Sequence, residues 1–426
     1  MTDREPLSTE PYKGVRDFYP EDWVLLSNVF DRIRGKLRTY GFEEYQASPL
    51  ERAELYESKT SEEIVNEQTY TFTDRGDRRV TLRPEMTPTL ARMIAHKRRE
   101  LVYPVRWFSI GNRFRYERPQ KGRLREFYQV DVDIVGIEGL RAEGEVVVVA
   151  HALLKEFGAH DSDFTIRVNS RKLLNAACAA CGLDTAETSA YIALLDRKNK
   201  MEAGSFEEAR EPFRRNGADP LEVIEAGANP EVQAERDALE ALMAAWSARG
   251  ITNVVFDPTV VRGFLYYTGL VFEVFDTNLE NPRALMGGGR YDELVGLFGG
   301  EQIPAVGFAF GDVTFMDFLR THNLLPRVSS SPTLFIGTPA EEDMLAAQEY
   351  ADTLREYGLS VVVNSSGKSL GDQVKEAVRR TIPYFVAYGS KEQVQGSVTL
   401  KILAESREEE VADNILAQHL FAKQRS

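Results

Sequence analysis

The stretch EFYQVDVDIV, residues 126–135, constrains the fold more than any other part of the chain. Read with a period of two, Gln129, Asp131 and Asp133 share one face, while Tyr128, Val130, Val132 and Ile134 share the other. The apolar face can be buried, which predicts a strand with a core on one side and a polar, acidic surface on the other. Residues 103–117 predict a second strand, and the loop between the two is basic. Arg113, Arg115, Arg118, Lys121, Arg123 and Arg125 crowd around Pro119 and Gly122. The chain as a whole has 66 Asp and Glu against 52 Lys and Arg, a net charge of −14, so this cluster runs against the global balance. An acidic face beside an arginine-rich loop suits a small polar or cationic ligand held next to a polyanion. A half-exposed strand whose acids only balance the arginines is the alternative, and the segment alone leaves both open.

At 426 residues the chain is long for a single core, so two or more domains are expected. The opening MTDREPLSTEPYKGVRD has no apolar targeting core, and the longest apolar run, VVVVAHALL, is too short to cross a bilayer. A cytoplasmic protein with no membrane partner is expected. The net charge speaks against nonspecific coating of nucleic acid, while leaving room for a local basic patch. Cys178 and Cys181 form a lone C-x-x-C, two of the four ligands of a structural zinc, in an Ala- and Leu-rich helix expected to end at Gly182. Two small residues packed on a helix is the better reading. The histidines, at 96, 151, 160, 322 and 419, are scattered, so no metal site is expected.

Residues 20–41 place Trp23, Leu26, Phe30, Ile33, Leu37 and Tyr40 at three- and four-residue steps, one face of a helix running from Pro20 to a stop at Gly41. FEEYQAS reads as a strand, and TYTFTDRGDRRVTLRPE alternates on both sides of DRGD, a hairpin. MTPTLARMIAHK then starts a helix. Roughly 171–250 is helical without evident chemistry and reads as an insertion between strand-rich blocks; strands resume at VVFDP and GLVFEVFD. After the linker PRVSSSP, strands such as TLFIGTP and PYFVAYGS alternate with helices, the pattern of a small α/β domain.

The basic loop suits phosphate, because arginine forks bind phosphate oxygens in pairs. No G-x-x-x-x-G-K-[ST] is present, so a P-loop is excluded. In VVRGFLYYTGLVFEVFD, Arg262 is expected to open an interior strand, where it needs an anionic partner, with Tyr266 and Tyr267 close by. A core carboxylate could fill that need, leaving the tyrosines as packing. The glycines of GGGRYD allow either close approach to a ligand or a plain turn. No Ser/His/Asp or Cys/His arrangement stands out, which fits a substrate that brings its own nucleophile. A carboxylate attacking the α-phosphate of ATP needs charge neutralisation and in-line placement more than a general base.

TLRPEMTPTLARM, FRYERPQKGRLREFYQVDVDIVG, RGFLYYTG, GGGRYDELVGLF and PAVGFAFG occur in the order found in histidyl-tRNA synthetases of class II, and the chain resembles that family over nearly its whole length. The resemblance implies an α+β fold: an antiparallel-sheet catalytic domain over 1–326 with the helical insertion, a linker at 327–332, and an α/β anticodon-binding domain over 333–426. It implies an ATP-dependent ligase that joins L-histidine to tRNA-His through a histidyl-adenylate, with Mg2+ accompanying ATP, in a homodimer. Glu85 and Thr87 together with Gln129 would hold the α-amino group, with Met86 also in the histidine site; Asp133 and Tyr267 would read the imidazole, with Tyr266 lining the same pocket. Arg115 and Arg262 would be catalytic, Arg115 on the α-phosphate with Glu117 near the adenine, and Arg123 near the triphosphate.

Three positions depart from the family pattern. Leu265 stands where an Asp is usual, the motif 1 proline falls one residue late at Pro49, and Thr314 stands where motif 3 supplies an arginine to the γ-phosphate. Arg123, Arg283 and Arg290 are cations in segments expected nearby that could compensate. Two rival readings follow from the same residues. One is a catalytically silent paralogue serving as regulatory subunit of ATP phosphoribosyltransferase, against which an intact Arg262 and the C-terminal domain speak. The other is a class II synthetase for proline or threonine, disfavoured by Asp133.

Overall fold

The structure is a computed structural model that describes residues 7–57, 68–198, 201–215, 217–227, 229–263 and 266–425. Leu265 therefore lies outside the described residues. The chain divides into two compact units, Met1–Arg327 and Val328–Ser426.

The first unit is built on an eight-stranded sheet. In chain order its strands are β1 (Glu43–Glu44), β5 (Val105–Phe114), β6 (Glu126–Val135), β7 (Phe164–Ser170), β8 (Val254–Phe256), β9 (Leu270–Asp276), β10 (Ala284–Arg290) and β11 (Ala305–Gly311). Across the sheet they run β1-β5-β6-β11-β10-β9-β7-β8. The six central strands are antiparallel, and the short edge strands β1 and β8 pair in parallel with β5 and β7. The basic segment is thus the connection of a long hairpin, β5 to β6, in register from Val105↔Val135 to Phe114↔Glu126. A smaller sheet, β2 (Leu50–Arg52), β4 (Arg79–Leu82) and β3 (Tyr70–Thr73), contains the expected hairpin around DRGD.

Alternation decides the two faces of the main sheet. Val130, Val132 and Ile134 enter a core with Phe108, Ile166, Phe272, Val306 and Phe308, covered by the helices Pro20–Thr39, Leu140–Glu156 and Asp312–Thr321. The apolar run VVVVAHALL is the buried stripe of the second of these. Leu26, Phe30, Ile33 and Leu37 are buried as their spacing predicts, while Trp23 stays 41% exposed and packs its ring against Phe18 and Tyr128.

Between β7 and β8 the described residues hold five α-helices, from Arg171–Ala180 to Pro230–Ala248; the first four pack around a core of their own, and the last gives it Val232 while its Leu239, Leu242 and Trp246 enter the main core. Cys178 and Cys181 belong to that core, both free and buried, and burial pushes the Cys178 thiol up to about 12. They are packing residues, as expected of small side chains on this helix.

The plain turn, one of the two readings left open for the glycines of GGGRYD, is not what forms: they lie in an interior strand, β10. Two expectations need correction. Arg262 opens no strand: it sits in the left-handed region at φ 57, and the strand begins only at Leu270. FEEYQAS yields only the two-residue β1.

The second unit carries a mixed five-stranded sheet ordered β13-β12-β14-β15-β16, from β12 (Leu334–Gly337), β13 (Val361–Val363), β14 (Tyr384–Ala387), β15 (Ser397–Ile402) and β16 (Arg407–Ala412). β12 runs parallel to both neighbours. Its core, Leu334, Ile336, Ala351, Leu354, Val386, Leu400 and Leu420 among others, is separate from those of the first unit.

Candidate active site

On the polar face of the main sheet lies a cleft of about 480 Å³. Glu85 and Thr87, from the start of the helix Thr87–Lys97, line it together with Arg115, Glu117 and Arg123 of the basic loop. Gln129 and Asp133 of β6, and Arg262, Tyr266 and Tyr267 from the segment before β9, complete the group. One expected residue is absent from the walls. The Met86 side chain is fully buried with Leu90 and Ile94, and Arg83 Nη1 approaches its sulfur at 3.6 Å.

One end of the cleft is rich in acceptors. The Glu85 carboxylate, 3% exposed, accepts from the Tyr266 hydroxyl at 3.1 Å. Among the described residues, Gln129 Oε1 and Asp131 Oδ1 are buried without a hydrogen-bond partner, although a buried acceptor normally has one. The other Asp131 oxygen takes Arg113 Nη2 at 2.6 Å, with the Arg113 side chain wholly buried. For this acid, balancing an arginine is part of the role. Deeper in the same face, Asp133 Oδ1 accepts from the Tyr291 hydroxyl at 2.5 Å. Burial pushes the Asp133 carboxyl up to about 8, opposed by the Tyr291 hydrogen bond and helped by Asp131. Tyr291, which also lines the cleft, is the residue that sequence reasoning missed. GGGRYD showed it directly after the glycines, but its contact with Asp133 depends on the order of the strands.

Glycines clear the floor. A Cβ on Gly287 would stand 1.9 Å from Arg262 Nη1, and one on Gly307 would stand 2.0 Å from Asp133 Oδ1. The Arg262 and Asp133 side chains can therefore lie against the sheet. Arg262 is held there by Glu273, Nη1 to Oε1 at 3.1 Å, while among the described residues its buried Nε has no partner. Burial works against the Arg262 charge, but Tyr267, Glu273 and Tyr266 more than offset it and hold its pKa above the ordinary arginine value. The predicted need of this arginine for a core carboxylate is thus met by Glu273, with one nitrogen still to satisfy.

The opposite end is cationic. Arg115 Nε donates to Pro84 O at 3.0 Å, and burial lowers its pKa against the pull of Glu117 and Glu85. Arg123 Nη1 meets Glu117 Oε2 at 3.4 Å. Arg125 lies over the Tyr116 ring at 4.0 Å and hydrogen-bonds the Tyr12 hydroxyl, so it braces the loop. Arg283 and Thr314 also line this end. Arg290 does not: it is buried against Glu143 at 2.8 Å and Asp292 at 2.9 Å, which removes it as a compensating cation. Among the described residues no group of three or more His, Cys, Asp and Glu is placed to hold a metal, and no helix is long and apolar enough to cross a membrane.

A cleft with unsatisfied acceptors at one end and guanidinium groups at the other can orient a zwitterion against a polyphosphate. Comparison with known proteins points the same way. The family model described as histidyl-tRNA synthetase matches residues 14–312, and the one described as anticodon binding domain matches residues 334–420. A histidine–tRNA ligase of Leptospira biflexa is 40% identical over 413 residues, covering 94% of each chain. In fold, the chain resembles a histidyl-tRNA synthetase from a Nostoc species, with TM-score 0.79, 23% identity, and 98% and 100% of the two chains covered. It also resembles a Bacillus halodurans protein described as an ATP phosphoribosyltransferase regulatory subunit/histidyl-tRNA synthetase, with TM-score 0.73, 23% identity, and 88% and 97% covered.

Proposed function

Because the chain belongs to the histidyl-tRNA synthetase family, we infer that this cleft activates L-histidine with MgATP and passes the histidyl group to tRNA-His. The observation that carries the assignment is the pair of partnerless buried acceptors, Gln129 Oε1 and Asp131 Oδ1, beside Glu85. Two open acceptors beside the Glu85 carboxylate suit an ammonium group, which brings three donors, while Arg113 holds the other Asp131 oxygen. With the α-amino group there, Asp133 and Tyr291 are left to the imidazole, and Tyr266 and Tyr267 wall the pocket.

The carboxylate of histidine then lies toward Arg262, whose free Nε is a donor in search of an acceptor. Attack of that carboxylate on the α-phosphate brings two anions together. Arg262 and Arg115 offset the repulsion and the charge that grows on the α-phosphate oxygens, in a site that needs no reorganisation as the reaction proceeds. No general base is required, since the nucleophile is already ionised. Glu117 and Arg123 fall to the adenine and the phosphates, and Mg2+ enters with ATP as part of the substrate. Binding of tRNA falls in part to residues 334–420, the segment matched by the anticodon-binding model. A homodimer working in the cytoplasm completes the proposal by analogy with the family.

Amino-acid-dependent ATP–pyrophosphate exchange across the twenty amino acids tests the reading. Exchange with histidine alone is expected. Exchange with proline or threonine would move the chain to another specificity, and histidine binding without any exchange would make it the silent regulatory paralogue.

A further inference from the structure

Next to the cationic end of the cleft, the tip of the basic loop touches the strand β10 and the residues before it. Lys121 Nζ donates to Glu280 O at 3.0 Å, and Arg283 Nε donates back to Lys121 O at 3.1 Å. Gly122 at φ 74 makes this approach possible: a Cβ there would lie 2.9 Å from Arg283 Cδ and 3.5 Å from Thr314 Cγ2. Arg283, Gly122 and Thr314 thus meet at one point of the cleft wall, and the same three residues also border an adjoining hollow of about 250 Å³.

Among the described residues, Arg283 forms no ion pair, whereas Arg123 is at least loosely tied to Glu117. Burial lowers the Arg283 pKa, and repulsion from Arg123 lowers it further. Arg115, Arg123 and Arg283 therefore bring three positive charges to one end of the cleft, where Glu117 and Glu85 are the carboxylates that act on them. Such a surplus calls for a polyanion. Thr314 cannot contribute a charge, and its hydroxyl turns back toward Gly311 O at 3.4 Å.

We propose that Arg283 binds the terminal phosphates of ATP and neutralises the pyrophosphate as it departs. The proposal rests on the reading of the cleft as an adenylation site. In that step a carboxylate oxygen of histidine bonds to the α-phosphorus, and the bond from that phosphorus to the oxygen bridging the β-phosphate breaks. The electron pair stays with the bridging oxygen, so the leaving pyrophosphate gains a negative charge where Arg283 stands. No proton has to move.

The test compares wild type, Arg283→Ala and Arg283→Lys, and adds Thr314→Arg to the alanine variant. Pyrophosphate exchange is measured with varied ATP and varied pyrophosphate, and histidine binding is measured by calorimetry without nucleotide. Arg283→Ala should slow exchange about 10- to 100-fold and raise KM for pyrophosphate and ATP, in line with the loss of one charged leaving-group contact, with histidine affinity unchanged. Lysine should recover part of the loss. Thr314→Arg should restore exchange by placing a cation at the same point. Unchanged KM values and rate in Arg283→Ala would overturn the assignment while leaving the ligase reading intact. If wild type itself shows no exchange, the ligase reading fails, and calorimetric ATP binding decides on Arg283 alone: binding lost in Arg283→Ala keeps the phosphate site, and binding unchanged removes it.

Discussion

Burial holds the Asp133 carboxyl at about 8, whereas an aspartate in an unfolded chain titrates near ~3.9. Between those values the folded protein keeps a proton that the unfolded chain has released, so stability falls as pH rises through that window. Asp133→Asn removes the titrating group and keeps an acceptor for the Tyr291 hydroxyl. Its melting temperature is expected to match wild type near pH 4 and to exceed it by about 2 °C or more at pH 8. The same variant should bind histidine about 10- to 100-fold more weakly, the worth of a charge-assisted hydrogen bond, with KM for ATP unchanged. Thermal denaturation across pH and exchange kinetics with varied histidine check both halves; equal losses for the two substrates would make Asp133 a scaffold residue. Alternation along FYQVDVDIV placed Asp133 on the right face, because the period of a strand is fixed by its backbone. It could not reveal Tyr291, which reaches Asp133 from 158 residues further along the chain; that proximity exists only once β10 and β11 lie side by side.

Elements with an apolar stripe were legible in the sequence, and those shaped by a neighbour were not. The helix Pro20–Thr39 and the β5–β6 hairpin follow their own hydrophobic period. β10 has almost none: its run of glycines allows a turn or a close approach until its neighbours are known, because their absent side chains are what Arg262, Tyr267 and the adjoining backbones require. β16, with Arg407 and three glutamates in sequence, has no apolar stripe to mark it, since an edge strand can carry charge. The glycines of β10 make a paired prediction. On Gly287 a methyl group meets the Arg262 guanidinium, a side chain that can shift, whereas on Gly288 it meets the Gly307 carbonyl at 2.1 Å. Gly287→Ala should melt within about 2 °C of wild type, yet exchange should fall about 100-fold as the guanidinium is displaced. Gly288→Ala should lose stability first, since two strands must separate. Melting curves and exchange rates for the two variants separate these effects, and a Gly287→Ala enzyme with full activity would take Arg262 out of the reaction.

At the scale of the whole chain, the change of pattern after PRVSSSP announced a second unit, because alternating strands and helices cannot extend an antiparallel sheet. Residues 331–426 hold 14 acidic and 10 basic side chains, so any contact of this unit with tRNA must come from a local patch, and charge alone does not identify one. The two units have separate hydrophobic cores, and every residue proposed for adenylation lies before Arg327. A chain ending at Arg327 should therefore fold, as judged by circular dichroism, and retain histidine-dependent pyrophosphate exchange within about threefold of wild type, a change of less than 1 kcal/mol. Its charging of tRNA-His at limiting tRNA should fall about 100-fold or more, equivalent to ~3 kcal/mol of lost binding. Parallel assays of exchange and aminoacylation on the same preparation check the division. Exchange lost from a folded truncation would mean that the second unit supports the cleft itself, and aminoacylation retained at wild-type efficiency would mean that tRNA is gripped entirely by the first.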